Sequence, residues 1–317
     1  MAEYSEAVAE LLAKVNEGFE QPLTIKVGDE ASGILRNENA DTTMDEDGNG
    51  TIDIKDATNV NYTLSHELLH ILLRELNYPT TGTAVHSPDN EYDQQMRAIA
   101  GALEAGVVHT MVAGWQGESG LLTEDVLKAV RAGIEADTPD ETDEEDDGEV
   151  LTRIFNLLDG LVVLGGPESD YVSAWYTKYP RALKAASHLW QTIQETDITD
   201  ARGYRSGIVK MFKAFNEALS DQGINLDFAG FICVTPVFSA RQLRLKLNQL
   251  YLLQDSVYIS NKPDTQAYAA LGVNDDQCAF VLQLTEKETQ PENFQALYQK
   301  PMQEVLDEYG IGYSERK

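Results

Sequence analysis

The sequence predicts an α+β fold, and three observations predict it. A helix and several short strands come before a long apolar helix, the middle of the chain reads as helices only, and strand patterns return near the end. Strands and helices are therefore grouped rather than alternating, unlike a chain built of βαβ repeats.

The opening stretch MAEYSEAVAELLAKVNEGFE sets Tyr4, Val8, Leu11, Leu12, Val15 and Phe19 on one helical face. PLTIKV reads as a strand, SGILRN as strand-like, and DTTMDEDGNGTIDI as two strands around a glycine-rich tip. NYTLSHELLHILLREL, residues 61 to 76, reads as a helix, with Asn61 or Thr63 as its cap and Asn77 and Pro79 as exit signals. A further helix is expected from about Asn90 to Trp115. EADTPDETDEEDDGEV, residues 135 to 150, is too acidic and too poor in apolar residues to pack, so it reads as an exposed loop or linker between parts 1–134 and 151–317. Three helical stretches follow it. Beyond Asp227, FAGFICVTPVFS reads as strand, ARQLRLKLNQLYLLQ as helix, SVYIS and CAFVLQL as strands, and PENFQALYQKPMQEVLDEYG as a helix interrupted by Pro301. That order predicts a small α/β unit at the end of the chain.

With 317 residues and 42% hydrophobic content, the chain can bury one large or two medium cores. Its formal charge of −29 repels phosphate backbones and anionic lipid, so neither nucleic acid nor a membrane surface is an expected partner. No apolar run is read as long enough to cross a bilayer, and the acidic N-terminus lacks the pattern of a signal peptide, so a cytoplasmic location is expected. Cys233 and Cys278 have neither metal-site nor disulfide-framework spacing and read as reduced structural thiols.

Chemistry concentrates in the helix at residues 61 to 76. Wound at about 100° per residue, Leu64, Leu68, Leu69, Ile71, Leu72, Leu73 and Leu76 cover more than half of its circumference, leaving an arc of His66, Glu67, His70 and Arg74. Two imidazoles four residues apart lie on adjacent turns, where one tetrahedral metal ion can take a nitrogen from each. Glu67 lies beside that axis, placed to accept a proton without being a ligand.

TLSHELLHILL resembles the active-site helix of zincin-type metallopeptidases, and its TLxHELxH form is similar to ImmA/IrrE-like and related bacterial HExxH families. The resemblance covers roughly residues 1 to 115, in which a helix and a short twisted sheet precede the motif, as in those proteins. It implies a zinc site, Glu67 as general base, and hydrolysis of a peptide or protein substrate. The metzincin extension is absent: Leu73 stands where its glycine belongs, and Leu76 and Asn77 bring no third histidine. The alternative expectation is a non-catalytic metal-binding regulatory protein that meets a protein partner through its C-terminal region.

A catalytic zinc site takes three protein ligands, and the helix after the motif offers candidates for the third. Glu104, near the centre of the face formed by Met96, Ile99, Ala100, Leu103, Val107, Val108 and Met111, is the first choice, because a carboxylate on a buried face needs a cation. His109, about 140° away on a regular helix, is the rival if Gly101 or Gly106 breaks the segment. His86, Glu91 and Asp93 are weaker candidates nearer a loop. Separately, DEDGNGTIDIKD matches calcium-loop spacing, with Asp45, Asp47, Asn49, Thr51, Asp53 and Asp56 as ligands and Gly50 at the turn. Its position 12 is Asp rather than Glu, and a β-hairpin tipped by residues 47 to 50 is the preferred reading.

Overall fold

Ser5 starts the first helix, Glu6–Asn16 (α1), by accepting a hydrogen bond from the Val8 N–H, and Val8, Leu11 and Val15 give that helix one buried face. Strands Thr24–Glu30 (β1), Ala40–Met44 (β2) and Gly50–Asp56 (β3) form a sheet in the order β1-β3-β2, with β1 parallel and β2 antiparallel to the central β3. The computed structural model describes residues 4–142, 148–220 and 223–316. SGILRN is not a strand: Leu35 is buried, and its N–H donates to the carbonyl of Ala129 rather than to a sheet neighbour.

Alternation along β3 decides which face packs. Ile52 and Ile54 are fully buried, whereas Asp53 and Lys55 are exposed, with Lys55 paired to Asp41 at 2.6 Å. The helix Val60–Glu75 (α2) follows and packs on β2, β3 and α1, with Leu64 and Leu68 fully buried. Its cap is Asn59, ahead of the candidates at 61 and 63, accepting from the Tyr62 N–H at 2.9 Å. Asn61 instead accepts from the Ser5 N–H. Asn77, at φ 55°, ends the helix in the left-handed region ahead of Pro79.

The next helix, Asn90–Glu118 (α3), runs 29 residues without a break at Gly101 or Gly106. By length and composition it could cross a bilayer, against the expectation that no apolar run is long enough; Met96, Leu103, Val107 and Val112 are buried as in a core helix. Helices Glu124–Asp137 (α4), Val150–Leu164 (α5), Trp175–Lys178 (α6) and Pro180–Gln194 (α7) follow. Trp175 is fully buried, with its indole N–H donating to Glu135 at 2.9 Å.

The chain forms two compact units, and they do not follow the linear division expected from the acidic stretch. Residues 1–77 and 108–190 make the first unit, and residues 78–107 and 191–317 the second. The stretch at 135–150 thus belongs to the first unit rather than linking two. Its part at 143–147 lies outside the described residues, and its beginning is packed: Glu141 pairs with Arg181 at 2.6 Å, Asp140 with Lys178 at 3.1 Å, and the Tyr179 hydroxyl donates to the Thr138 carbonyl. The acidic composition is offset there by cations from the start of α7 and the end of α6.

In the second unit, Thr81–Gly82 (β4) and Val85–His86 (β5) are short strands, and Ala201–Leu219 (α8) is the long helix. Phe228–Phe231 (α9), Cys233–Val234 (β6) and Val237–Phe238 (β7) stand where a continuous strand was expected. ARQLRLKLNQLYLLQ is not a helix either: two 3₁₀ turns lead into the strand Tyr251–Asp255 (β8), whose alternation in YLLQD reads as strand once separated from the preceding residues. After Ile259–Ser260 (β9), strands Thr265–Gly272 (β10) and Cys278–Thr285 (β11) complete an antiparallel sheet in the order β11-β10-β8. The helices Pro291–Gln299 (α10) and Met302–Tyr309 (α11), separated at Pro301 as expected, share one apolar core with this sheet through Leu297, Met302, Val305 and Leu306. Cys233 and Cys278 are free thiols whose sulfurs lie 3.3 Å apart, a proximity that their sequence spacing did not reveal.

Gly133, buried in α4, fixes how close that helix comes to the segment before β2, because a Cβ added there would run into the carbonyl oxygen of Leu35. Backbone cannot yield as a flexible side chain can. Gly133→Ala is therefore expected to lower stability by about 1–3 kcal/mol, read as a shifted midpoint in urea at unchanged slope.

Candidate metal centre

The burial of α2 on its leucine face leaves His66, Glu67 and His70 on the partly buried arc. Four residues of separation bring the two Nε2 atoms to 3.1 Å and the ring centroids to 4.7 Å. Two nitrogens each about 2.0–2.1 Å from a tetrahedral zinc ion stand roughly 3.3 Å apart, so this spacing fits a shared ion.

His109 on α3 completes the group. Its ring lies 4.9 Å from that of His66 and 5.3 Å from that of His70, and one ligand atom from each of the three residues falls within 4.8 Å of the others. Among the described residues, this is the group of histidines, cysteines and carboxylates that could hold a metal ion. Two contacts orient it. Gln116, two turns beyond His109 and almost fully buried, donates to the Tyr62 carbonyl at 3.0 Å and to the Ser65 hydroxyl at 2.9 Å, tying α3 to the first turn of α2. Asp159 on α5 sits 2.8 Å from His109 Nδ1, which leaves Nε2 as the nitrogen available to a metal.

The electrostatics follow from this arrangement. Burial depresses the basicity of His66 and His70, and the neighbouring His109 adds to it; His70 is pulled down to about 4 and His66 well below its ordinary value. Burial pulls His109 down too, but the charge and hydrogen bond of Asp159 outweigh it, and the net direction is up. His66 and His70 are thus neutral near pH 7, the form that ligates a metal. Burial raises the Glu67 carboxyl, partly offset by the Thr42 hydroxyl, which donates to Oε2 at 2.7 Å. Thr42 lies on β2, on the face that also carries Ile52 and Ile54 of β3. A cavity of about 40 Å³ lies beside His66, His109 and Asp159, with room for a few waters or an ion.

Glu104, the first choice for the third ligand, is occupied elsewhere. Its Oε2 accepts from the Thr81 N–H at 2.8 Å and from the Thr81 hydroxyl at 2.6 Å, so hydrogen bonds rather than a cation satisfy this partly buried carboxylate. The expectation that His109 needs a helix break also fails, since α3 is regular through both positions. The unit boundary falls between Val107 and Val108, so Glu104 belongs to the second unit and His109, with His66 and His70, to the first. The weaker candidates lie outside the group: His86 Nδ1 lies 2.9 Å from Asn261 Oδ1, Asp93 accepts from the Ser87 N–H, and Glu91 is exposed in the first turn of α3.

The calcium-loop geometry does not form. Asp45 accepts from the N–H groups of Asp47 and Asn49 and from the Asn49 amide, closing the hairpin between β2 and β3. Asp53 and Asp56 run along β3, and Asp53 stands opposite Asp41, about 10 Å along the strand from the turn. Asp56 is held by Ser32 and Thr58. The strand carries these carboxylates away from the tip instead of wrapping them around an ion.

Sequence reasoning missed Asp159 and Gln116. Asp159, a lone acid in the apolar run IFNLLDGLVV, carried the same signal of an isolated buried charge that drew attention to Glu104. Gln116 carried none. In comparisons with known proteins, no protein family, curated protein or solved structure matches the chain.

Competitive titration with zinc separates the candidates. His109→Ala is expected to weaken binding by orders of magnitude and Glu104→Ala to leave it within a few-fold of the parent, while Asp159→Asn costs about 10–100-fold.

Proposed function

We propose that the protein is a zinc-dependent peptidase of zincin type, with His66, His70 and His109 as the metal ligands and Glu67 as the general base. The observation that carries this reading is the convergence of a third imidazole, oriented by Asp159, on the two histidines that flank Glu67. Three imidazole ligands suit zinc, and three protein ligands leave a fourth position for water or substrate.

When bound, zinc supplies Lewis acidity, which acidifies water and polarises a carbonyl. The chain's own residues do the rest. Thr42 holds Oε2 of Glu67, leaving Oε1 to take the proton from the attacking water and deliver it to the departing amine. A carboxyl raised by burial retains that proton better than a solvated one, which suits it to both steps. Asp159 fixes the His109 ring so that the same nitrogen faces the metal throughout.

A catalytic role and a purely metal-binding one diverge in a single substitution. Glu67→Gln is expected to retain one zinc per chain by native mass spectrometry and to lose cleavage of an unfolded protein substrate by about 10²–10⁴-fold. His66→Ala is expected to lose the zinc itself. Turnover by the Glu67→Gln variant equal to that of the parent would rule out the mechanism.

A further inference from the structure

Against a net charge of −29, one face of α8 is basic. Arg202, Arg205, Lys210 and Lys213 follow one another at helical spacing and line a cleft of about 370 Å³ in the second unit. Cations in a strongly acidic chain are expected to be spread among its carboxylates, and here four share one wall with a single acid, Asp275.

The cleft holds unspent hydrogen-bonding capacity. Arg205 is largely buried and pairs with Asp275 through Nη1, and its Nε is buried with no partner among the described residues. Tyr251, at 8% exposure, lines the same cleft; its ring packs on Phe238 and Phe280, and among the described residues its hydroxyl has no hydrogen-bond partner. Lys210 and Lys213 make single contacts, to the Thr196 hydroxyl and the Asp275 carbonyl, so each ammonium keeps donors to spare. The Nε of Arg205 is the one of these donors that is buried and unpaired, which is unfavourable, and the exposed lysines with the Tyr251 hydroxyl leave further donors for an acceptor-rich ligand in the cleft. Between the donors, the cleft is floored by apolar side chains, with Val209 and Phe238 buried.

We propose that this cleft binds a small phosphate ester, with the phosphate held by the cations of α8 and the Tyr251 hydroxyl and the apolar part of the ester lying on Val209 and Phe238. A phosphate presents several acceptor oxygens and a charge near −2, matching donors that converge from one helix and one strand. The volume lies in the range of small-molecule sites and is too small for a macromolecular surface. This site is independent of the metal centre, and its test needs no peptidase activity.

The test is isothermal titration of the full chain with phenyl phosphate, with inorganic phosphate and an acidic phosphopeptide as separate arms. Phenyl phosphate is expected to bind saturably with Kd tighter than about 1 mM and at least several-fold more tightly than inorganic phosphate, weakening as salt is raised. Arg202→Gln with Lys210→Gln changes two exposed side chains and is expected to weaken binding by at least about tenfold at an unchanged melting temperature. Tyr251→Phe, which keeps the buried ring, is expected to weaken it several-fold. No saturation, equal affinity for inorganic and phenyl phosphate, variants that titrate like the parent, or binding of the phosphopeptide alone would each overturn the proposal.

Discussion

The hydrogen bond from His109 to Asp159 is the contact on which the candidate metal centre depends. Three imidazoles brought together in a water-poor interior repel one another whenever more than one of them is protonated, and each charge there is costly without a partner. One carboxylate at 2.8 Å resolves this by giving His109 a partner for its proton while its neighbours remain neutral. The demand propagates outward. Asp159 must be presented by α5, His109 by α3, and both against an α2 whose leucines have already committed its other faces to the interior.

A partly buried carboxylate needs a partner, and this protein supplies that partner in several ways. Asp159 has an imidazole, Glu67 a threonine hydroxyl, and Glu104 the backbone and side chain of Thr81. Net donor capacity decides each case, and a cation is only one source of it. That explains why Glu104 is satisfied without a cation: a charge on an apolar helix face does need a partner, and Thr81 supplies it.

Much of the architecture was legible because it follows local rules. The HELLH helix, the hairpin at residues 45 to 50, and the split of the last helix at Pro301 follow from periodicity, turn chemistry and the proline ring. What could not be read depended on residues far apart in sequence. Asp159 meets His109 across 50 positions, and while its place in an apolar run marks a charge that needs a partner, nothing local names His109 as that partner. Gln116 looks like a surface polar residue until Tyr62 and Ser65 are placed beside it. The stretch ARQLRLKLNQLYLLQ misled because its leucines fit a helical period, while the pairing of β8 with β10 imposed a period of two on its end. Nor could the division of one continuous helix between two units at Val107 and Val108 be foreseen from its hydrophobic face.

The hairpin carries a consequence for how this chain can vary. Directly paired residues on adjacent strands share a face, so Thr42 reaches Glu67 because it stands opposite Ile52 in the register of β2 on β3. That register is set at the far end, where residues 45 to 49 close the turn. The loop is solvent-exposed and polar, and its side chains can be exchanged freely so long as the turn closes. Its length cannot: one residue inserted or deleted there slips the pairing and sends Thr42 to the opposite side of the sheet. Drift at this loop should therefore be rich in substitutions and poor in indels, a pattern dictated by a hydroxyl several residues away.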